Sequence, residues 1–197
     1  NDYFSFSIFT MNLSRSYTSF VITFLMLFLV SVPVSTLLGQ RNQGPKLKPT
    51  ISDFSYGEHE RHVLDFYKAE SSSPTPLVLY IHGGGFTAGS KNTVNQETLN
   101  ELLEAGISVA AINYRLANQV PLPAAHHDAQ RAIQTLRSKA EEWNFDKTQM
   151  GAFGGSAGAQ LCMWLAYRDD QANPSSSDPI ARESTRLTYV APLNGQI

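Results

Sequence analysis

Residues 149–167 read QMGAFGGSAGAQLCMWLAY, and the fold turns on how this stretch is parsed. Gln149–Phe153 reads as a short strand, and Ala157–Tyr167 as a helix rich in small residues. At their junction Gly154-Gly155-Ser156-Ala157-Gly158 forms a G-x-S-x-G pattern. A strand that passes at once into a helix needs a very tight turn, and small residues on either side let the two elements approach without clashing. Such a turn thrusts the Ser156 hydroxyl above the sheet edge, where it can act as a nucleophile. The competing reading is a glycine-rich turn that binds a phosphate. The strand–turn–helix setting favours the nucleophile.

Upstream, Leu77–His82 (LVLYIH) is a continuous apolar run of the kind a strand buried on both faces requires. It runs directly into His82-Gly83-Gly84-Gly85-Phe86. Acyl transfer through a tetrahedral intermediate needs backbone N–H groups aimed at the developing oxyanion, and glycines let the chain curl its amides toward one point. Gly84 and Gly85 would supply such donors, and Ala157, next to the serine, another. The G-x-G-x-x-G pattern of a dinucleotide-binding loop is absent. Between the two motifs lie a helical stretch at Asn95–Ala105 stopped by Gly106, a buried strand at Ile107–Tyr114, and a long helix over Ala124–Trp143. That helix has an apolar stripe of Ala125, Ala129, Ala132, Ile133 and Leu136. Leu187–Pro192 adds a further core strand. Thr50–Tyr56 and Arg61–Tyr67, joined around Gly57, open the domain as an antiparallel hairpin. Strands alternating with helices predict an α/β fold: a mostly parallel sheet with helices on both faces.

With both motifs in place, the sequence resembles the α/β-hydrolase family, specifically carboxylesterases of the hormone-sensitive-lipase and feruloyl/acetyl-esterase type. The matching stretches are LVLYIHGGGF, VAAINYRLA, PAAHHDAQRAIQTLRSKAEEW, GAFGGSAGAQLCMWLA and the loop DPIARESTR, together covering most of Asp53 to Pro192. The resemblance implies a cofactor-free serine hydrolase of esters, with Ser156 as nucleophile and Gly84, Gly85 and Ala157 as the oxyanion hole. Phe86 then either lines the acyl pocket or belongs to the ordinary core.

A serine nucleophile needs a histidine base oriented by an acid, and in this fold the chain order is Ser, then Asp or Glu, then His. All five histidines (His59, His62, His82, His126 and His127) precede Ser156. Asp169, Asp170 and Asp178 follow it too soon for the acid and read as surface loop. The expectation is therefore a C-terminally truncated α/β-hydrolase that lacks the catalytic histidine and the acid, and is inactive on its own. Neither histidine pair finds enough further ligands for a metal site. His82 reads as shaping the glycine loop, and Arg115 and Asp128 as an ion pair bracing the loop before the long helix. Cys162 reads as packed core, and as the sole cysteine it excludes an intrachain disulfide.

Composition adds bounds. The 197 residues carry a formal charge of −2 with 42% hydrophobic residues, which offers no basic excess for nucleic acid. Phe20–Val32 is an apolar run preceded by Arg15 and closed by Pro33, short of the roughly 20 residues of a spanning helix. It reads as the core of a signal peptide over 11–40, with a retained membrane anchor or a buried helix as the alternatives. Residues 1–10 precede Met11 and read as read-through, 41–49 as a linker, and 50–197 as an incomplete hydrolase domain. The resulting expectation is a secreted or periplasmic protein acting on small-molecule or polysaccharide-linked esters, without stable membrane association once the signal is cleaved. The alternatives are a non-catalytic binding protein of the same fold, and a related serine peptidase or arylformamidase.

Overall fold

A computed structural model describes residues 46–194. The expected leader, the segment before Met11 and the first part of the expected linker lie outside the described residues. At the linker's end Leu47 is already docked, its N–H donating to Gln96 Oε1 at 2.7 Å while its side chain packs against the core.

The hairpin opens the fold as expected. Strands β1 (Ile51–Ser55) and β2 (Val63–Tyr67) pair antiparallel, with Phe54 opposite Leu64. They are followed by β3 (Thr75–Ile81), α1 (Gln96–Glu104), β4 (Ser108–Ile112), α2 (Ala124–Ser138), α3 (Ala140–Trp143), β5 (Phe145–Gly155), α4 (Ala157–Tyr167) and β6 (Tyr189–Leu193). The strands form one sheet in the order β1-β2-β4-β3-β5-β6. Pairing from β4 through β3 and β5 to β6 is parallel, and β2 joins β4 antiparallel.

Each central strand shows alternate residues to opposite faces. Leu77, Leu79 and Ile81 of β3, with Ala110 and Ile112 of β4, meet the larger core that α2, α3 and α4 cover with Ala129, Ile133, Trp143 and Leu161. Val78, Val109 and Ala111 face the other way, under Leu99 of α1. Burial on both faces is why these strands read as unbroken apolar runs.

Several strand ends move by one or two residues, and two further differences from expectation bear on packing. The helix foreseen over Ala124–Trp143 stops at Ser138, and Lys139 separates off the one-turn α3, which Asn144 ends in the left-handed region at φ 59°. The break sets Trp143 against Phe54 and Phe66, at ring separations of 5.0 and 4.9 Å. Strand β5 starts at Phe145 because that residue pairs with Thr75. The register then jumps to Leu77 opposite Met150, leaving Asp146–Gln149 as a polar excursion that Asp146 ties to Thr148 and Gln149.

Candidate active site

The turn between β5 and α4 is as tight as the sequence demands. Ser156 sits at φ 53°, ψ −116°, a conformation that costs a non-glycine residue of order 1–3 kcal/mol and must be held by its surroundings. The holding bonds run in both directions. Ser156 N–H donates to Leu193 O of β6 at 3.0 Å, and Ser156 C=O accepts from Gln160 N–H of α4 at 3.1 Å. Glycines make the approach possible: a Cβ on Gly154 would lie 2.3 Å from Ile81 O, and one on Gly158 only 2.0 Å from the same atom. Ser156 itself is exposed, and no hydrogen bond from another described residue reaches its Oγ.

The glycine loop lies against this elbow. A Cβ on Gly83 would fall 2.8 Å from Gly155 O and 3.6 Å from Ser156 Cβ. Gly84 (φ 109°) and Gly85 (φ 59°) occupy the left-handed half of backbone space, where glycine carries little penalty. Thr87 N–H and Ala88 N–H both donate to Gly84 O at 3.0 Å, and His82 Nδ1 lies 2.7 Å from Gly83 O. In a trans peptide the C=O and the following N–H point in opposite directions. With both carbonyls engaged inside the loop, the N–H groups of Gly84 and Gly85 are turned away from those bonds. No backbone hydrogen bond uses them among the described residues. Ala157 N–H opens α4 and has no intrahelical acceptor.

His82 supports the loop, as its place in the motif suggested. It is fully buried and stacks on Tyr114 at 4.1 Å with 12° between the rings, and Tyr114 Oη donates to His82 O at 2.9 Å. Burial pushes its imidazole down to about 4; the Arg61 charge adds to the fall and the Gly83 contact opposes it. A neutral ring with both nitrogens engaged is not available as a base. Arg61 is the residue that sequence reasoning missed. One charged side chain before an apolar strand gives no signal that it reaches a loop 21 positions on, yet its Nη2 lies 3.3 Å from His82 Nε2.

The remaining candidates separate cleanly. Asp128, buried at the start of α2, accepts from Arg115 Nη2 at 2.6 Å, Arg115 Nε at 2.9 Å and Arg115 N–H at 2.8 Å. His62 Nε2 also lies 3.0 Å from Asp128 Oδ1, and burial lowers the His62 pKa while Asp128 opposes the fall. Phe86 is buried in the main core, stacked on His126 at 5.8 Å, and His126 meets Trp164 edge-on at 5.2 Å. Cys162 is buried, with its thiol pushed up to about 12 by burial, as expected of core. Asp170 braces Ser184 and Thr185, and Asp178 holds Arg131, so both organise a surface loop. Among the described residues no group of three or more His, Cys, Asp or Glu side chains converges as a metal site would need.

Comparison with known proteins gives this geometry a family. The BD-FAE family model matches residues 64–191. Ethyl acetate hydrolase of Pseudomonas putida is 34% identical over 121 residues, covering 59% of this chain and 38% of that protein. Probable carboxylesterase 2 of Arabidopsis thaliana is 32% identical over 112 residues, covering 54% and 36% respectively. The chain thus spans between a third and two fifths of the length of these curated relatives. Among solved structures, an acetyl ester-xyloside bifunctional hydrolase from Caldicellulosiruptor lactoaceticus superposes with a TM-score of 0.61 at 25% identity, over 78% of this chain and 53% of that one. Esterase 2 of Thermogutta terrifontis superposes with a TM-score of 0.63 at 22% identity, over 77% and 57%. A strained serine between β5 and α4, a glycine loop packed against it and the family match over residues 64–191 agree: this chain belongs to the BD-FAE family, on the α/β-hydrolase fold.

Proposed function

We propose that these residues carry the nucleophile and the oxyanion-binding half of a serine carboxylic-ester hydrolase. The observation that carries this reading is the convergence of Ser156, strained and exposed at the head of α4, with a glycine loop whose N–H groups are unspent. Ser156 Oγ attacks the ester carbonyl carbon and its proton passes to a general base. The carbonyl oxygen becomes an oxyanion held by the N–H groups of Gly84, Gly85 and Ala157. Collapse expels the alcohol and leaves an acyl-serine, which water hydrolyses to free acid and serine. None of the five histidines hydrogen-bonds to Ser156 Oγ, so this reading takes its general base from a part of the whole protein outside these 197 residues.

The substrates proposed are short-chain acyl esters, free or linked to polysaccharide. An ethyl acetate hydrolase among the relatives and an acetyl ester-xyloside hydrolase among the structural neighbours support that class. The test is turnover of p-nitrophenyl acetate, acetylated xylan and a peptide p-nitroanilide by the whole gene product. Ester hydrolysis is expected, and Ser156→Ala is expected to lower kcat/KM by roughly four orders of magnitude or more with an unchanged circular dichroism spectrum. Turnover that survives in Ser156→Ala removes the nucleophile assignment. Binding of these substrates without turnover in the unmutated protein would make it a non-catalytic member of the fold, and cleavage of the anilide alone would make it a peptidase.

A further inference from the structure

We propose that Arg61 is a positioning residue for the oxyanion loop: it locks His82 in the one tautomer that keeps the Gly83–Gly84 peptide turned with its N–H free. This inference rests on the reading of Gly84 as an oxyanion donor.

Arg61 lies in the turn before β2, and its guanidinium makes three contacts, all around the glycine loop. Nε donates to Tyr114 O at 2.6 Å, Nη2 donates to Gly89 O at 3.0 Å, and Nη2 lies 3.3 Å from His82 Nε2. A guanidinium can only donate, so His82 Nε2 must present its lone pair. The ring proton then sits on Nδ1, which donates to Gly83 O at 2.7 Å. The two contacts demand the same tautomer, and each is lost in the other. An imidazolium would set an Nε2–H against the arginine.

The consequence passes through the peptide plane. Holding Gly83 C=O on His82 turns the Gly84 N–H to the opposite side. Gly89, at φ 97°, closes the same loop so tightly that a Cβ there would fall 2.5 Å from both His82 Nδ1 and Gly83 O. By bonding to His82 and to Gly89, Arg61 grips the loop at its entry and its exit. The titratable groups facing the imidazole are Arg61 from the turn and Tyr114 from the segment after β4, whose phenol burial keeps neutral.

The test uses the whole gene product labelled with 15N-histidine, with His82 assigned by the resonance lost in His82→Gln. In the unmutated protein His82 is expected to show the Nδ1–H tautomer alone, without titration between about pH 5 and 8. In Arg61→Met, both tautomers are expected and the titration midpoint rises. The kcat for p-nitrophenyl acetate falls about 10-fold while KM stays within about twofold, a smaller loss than removing an oxyanion donor outright. Arg61→Lys, which restores the charge and one donor, is expected to recover part of both signals. An Nε2–H tautomer in the unmutated protein overturns the proposal without any variant. So does an Arg61→Met protein, or an Arg61→Ala protein where the first does not fold, with unchanged tautomer and kcat. A changed tautomer with unchanged kcat overturns the link to the oxyanion hole while Ser156 stands. Turnover surviving in Ser156→Ala instead removes the underlying reading of Ser156 as the nucleophile, whatever the tautomer of His82.

Discussion

Gly158 lies two residues past the nucleophile and shows how little room the elbow has. A Cβ there would stand 2.0 Å from Ile81 O and 2.9 Å from His82 O, both backbone atoms of the strand end that feeds the glycine loop. Those carbonyls cannot swing aside as a flexible side chain would, so α4 must retreat from β3. Overpacking of this kind costs roughly 1–3 kcal/mol. Gly158→Ala is therefore expected to lower stability by about 2 kcal/mol, read as a fall in the urea midpoint. An unchanged midpoint would mean that the elbow has slack that the structure does not show. G-x-S-x-G was legible in the sequence because its small residues stand in immediate succession around the serine, although the atoms that leave them no room, Ile81 O and His82 O, come from the distant end of β3. Arg61 was not legible, because its partners His82, Gly89 and Tyr114 are 21, 28 and 53 positions away.

The Asp128 carboxylate ties helix α2 to the segment just after β4. Asp128 has a side chain only 2% exposed, and it takes the Arg115 guanidinium, the Arg115 backbone N–H and a close approach from His62. Removing one member of a buried pair strands the other, at about 3–5 kcal/mol. Because the Arg115 side chain keeps 25% exposure, water recovers part of that cost. Asp128→Ala is expected to destabilise by about 3 kcal/mol in urea unfolding, and Arg115→Met in the same background to add little. Fully additive losses from the two substitutions would refute the coupling. The pairing of Arg115 with Asp128 was anticipated from their positions around the loop. The approach of His62 was not, since the hairpin meets α2 only once the sheet has formed. The break at Lys139 was hidden for a similar reason: Lys, Ala and Glu all favour helix, and the sequence through Trp143 has no stop signal.

The sheet order leaves β6 at one margin, with no strand beyond it among the described residues. Leu193 is 56% exposed and Tyr189 43% exposed on that strand. Unpaired backbone donors and acceptors beside exposed apolar side chains form a template for another chain. The 197-residue chain is expected to self-associate through this edge at about 50 µM, and Leu193→Lys to shift it toward monomer in sedimentation velocity. A monomeric unmutated chain at that concentration would show that the edge is already protected. The margin matters to the site as well, because Leu193 O accepts the Ser156 N–H that helps to hold the nucleophile in its strained conformation.

Sequence alone was enough wherever the determinant is local. Apolar runs that must be buried on both faces marked β3 and β4, and the two glycine motifs marked the elbow and the loop, because tight turns need small residues in immediate succession. The tertiary structure was needed for the order β1-β2-β4-β3-β5-β6, the docking of Leu47 on α1, the junction after Ser138 and the clamp from Arg61 to His82. Each of these joins residues far apart in the chain through bonds whose geometry exists only after the strands have paired. A lone arginine or glutamine carries no mark of which distant carbonyl or ring it will meet.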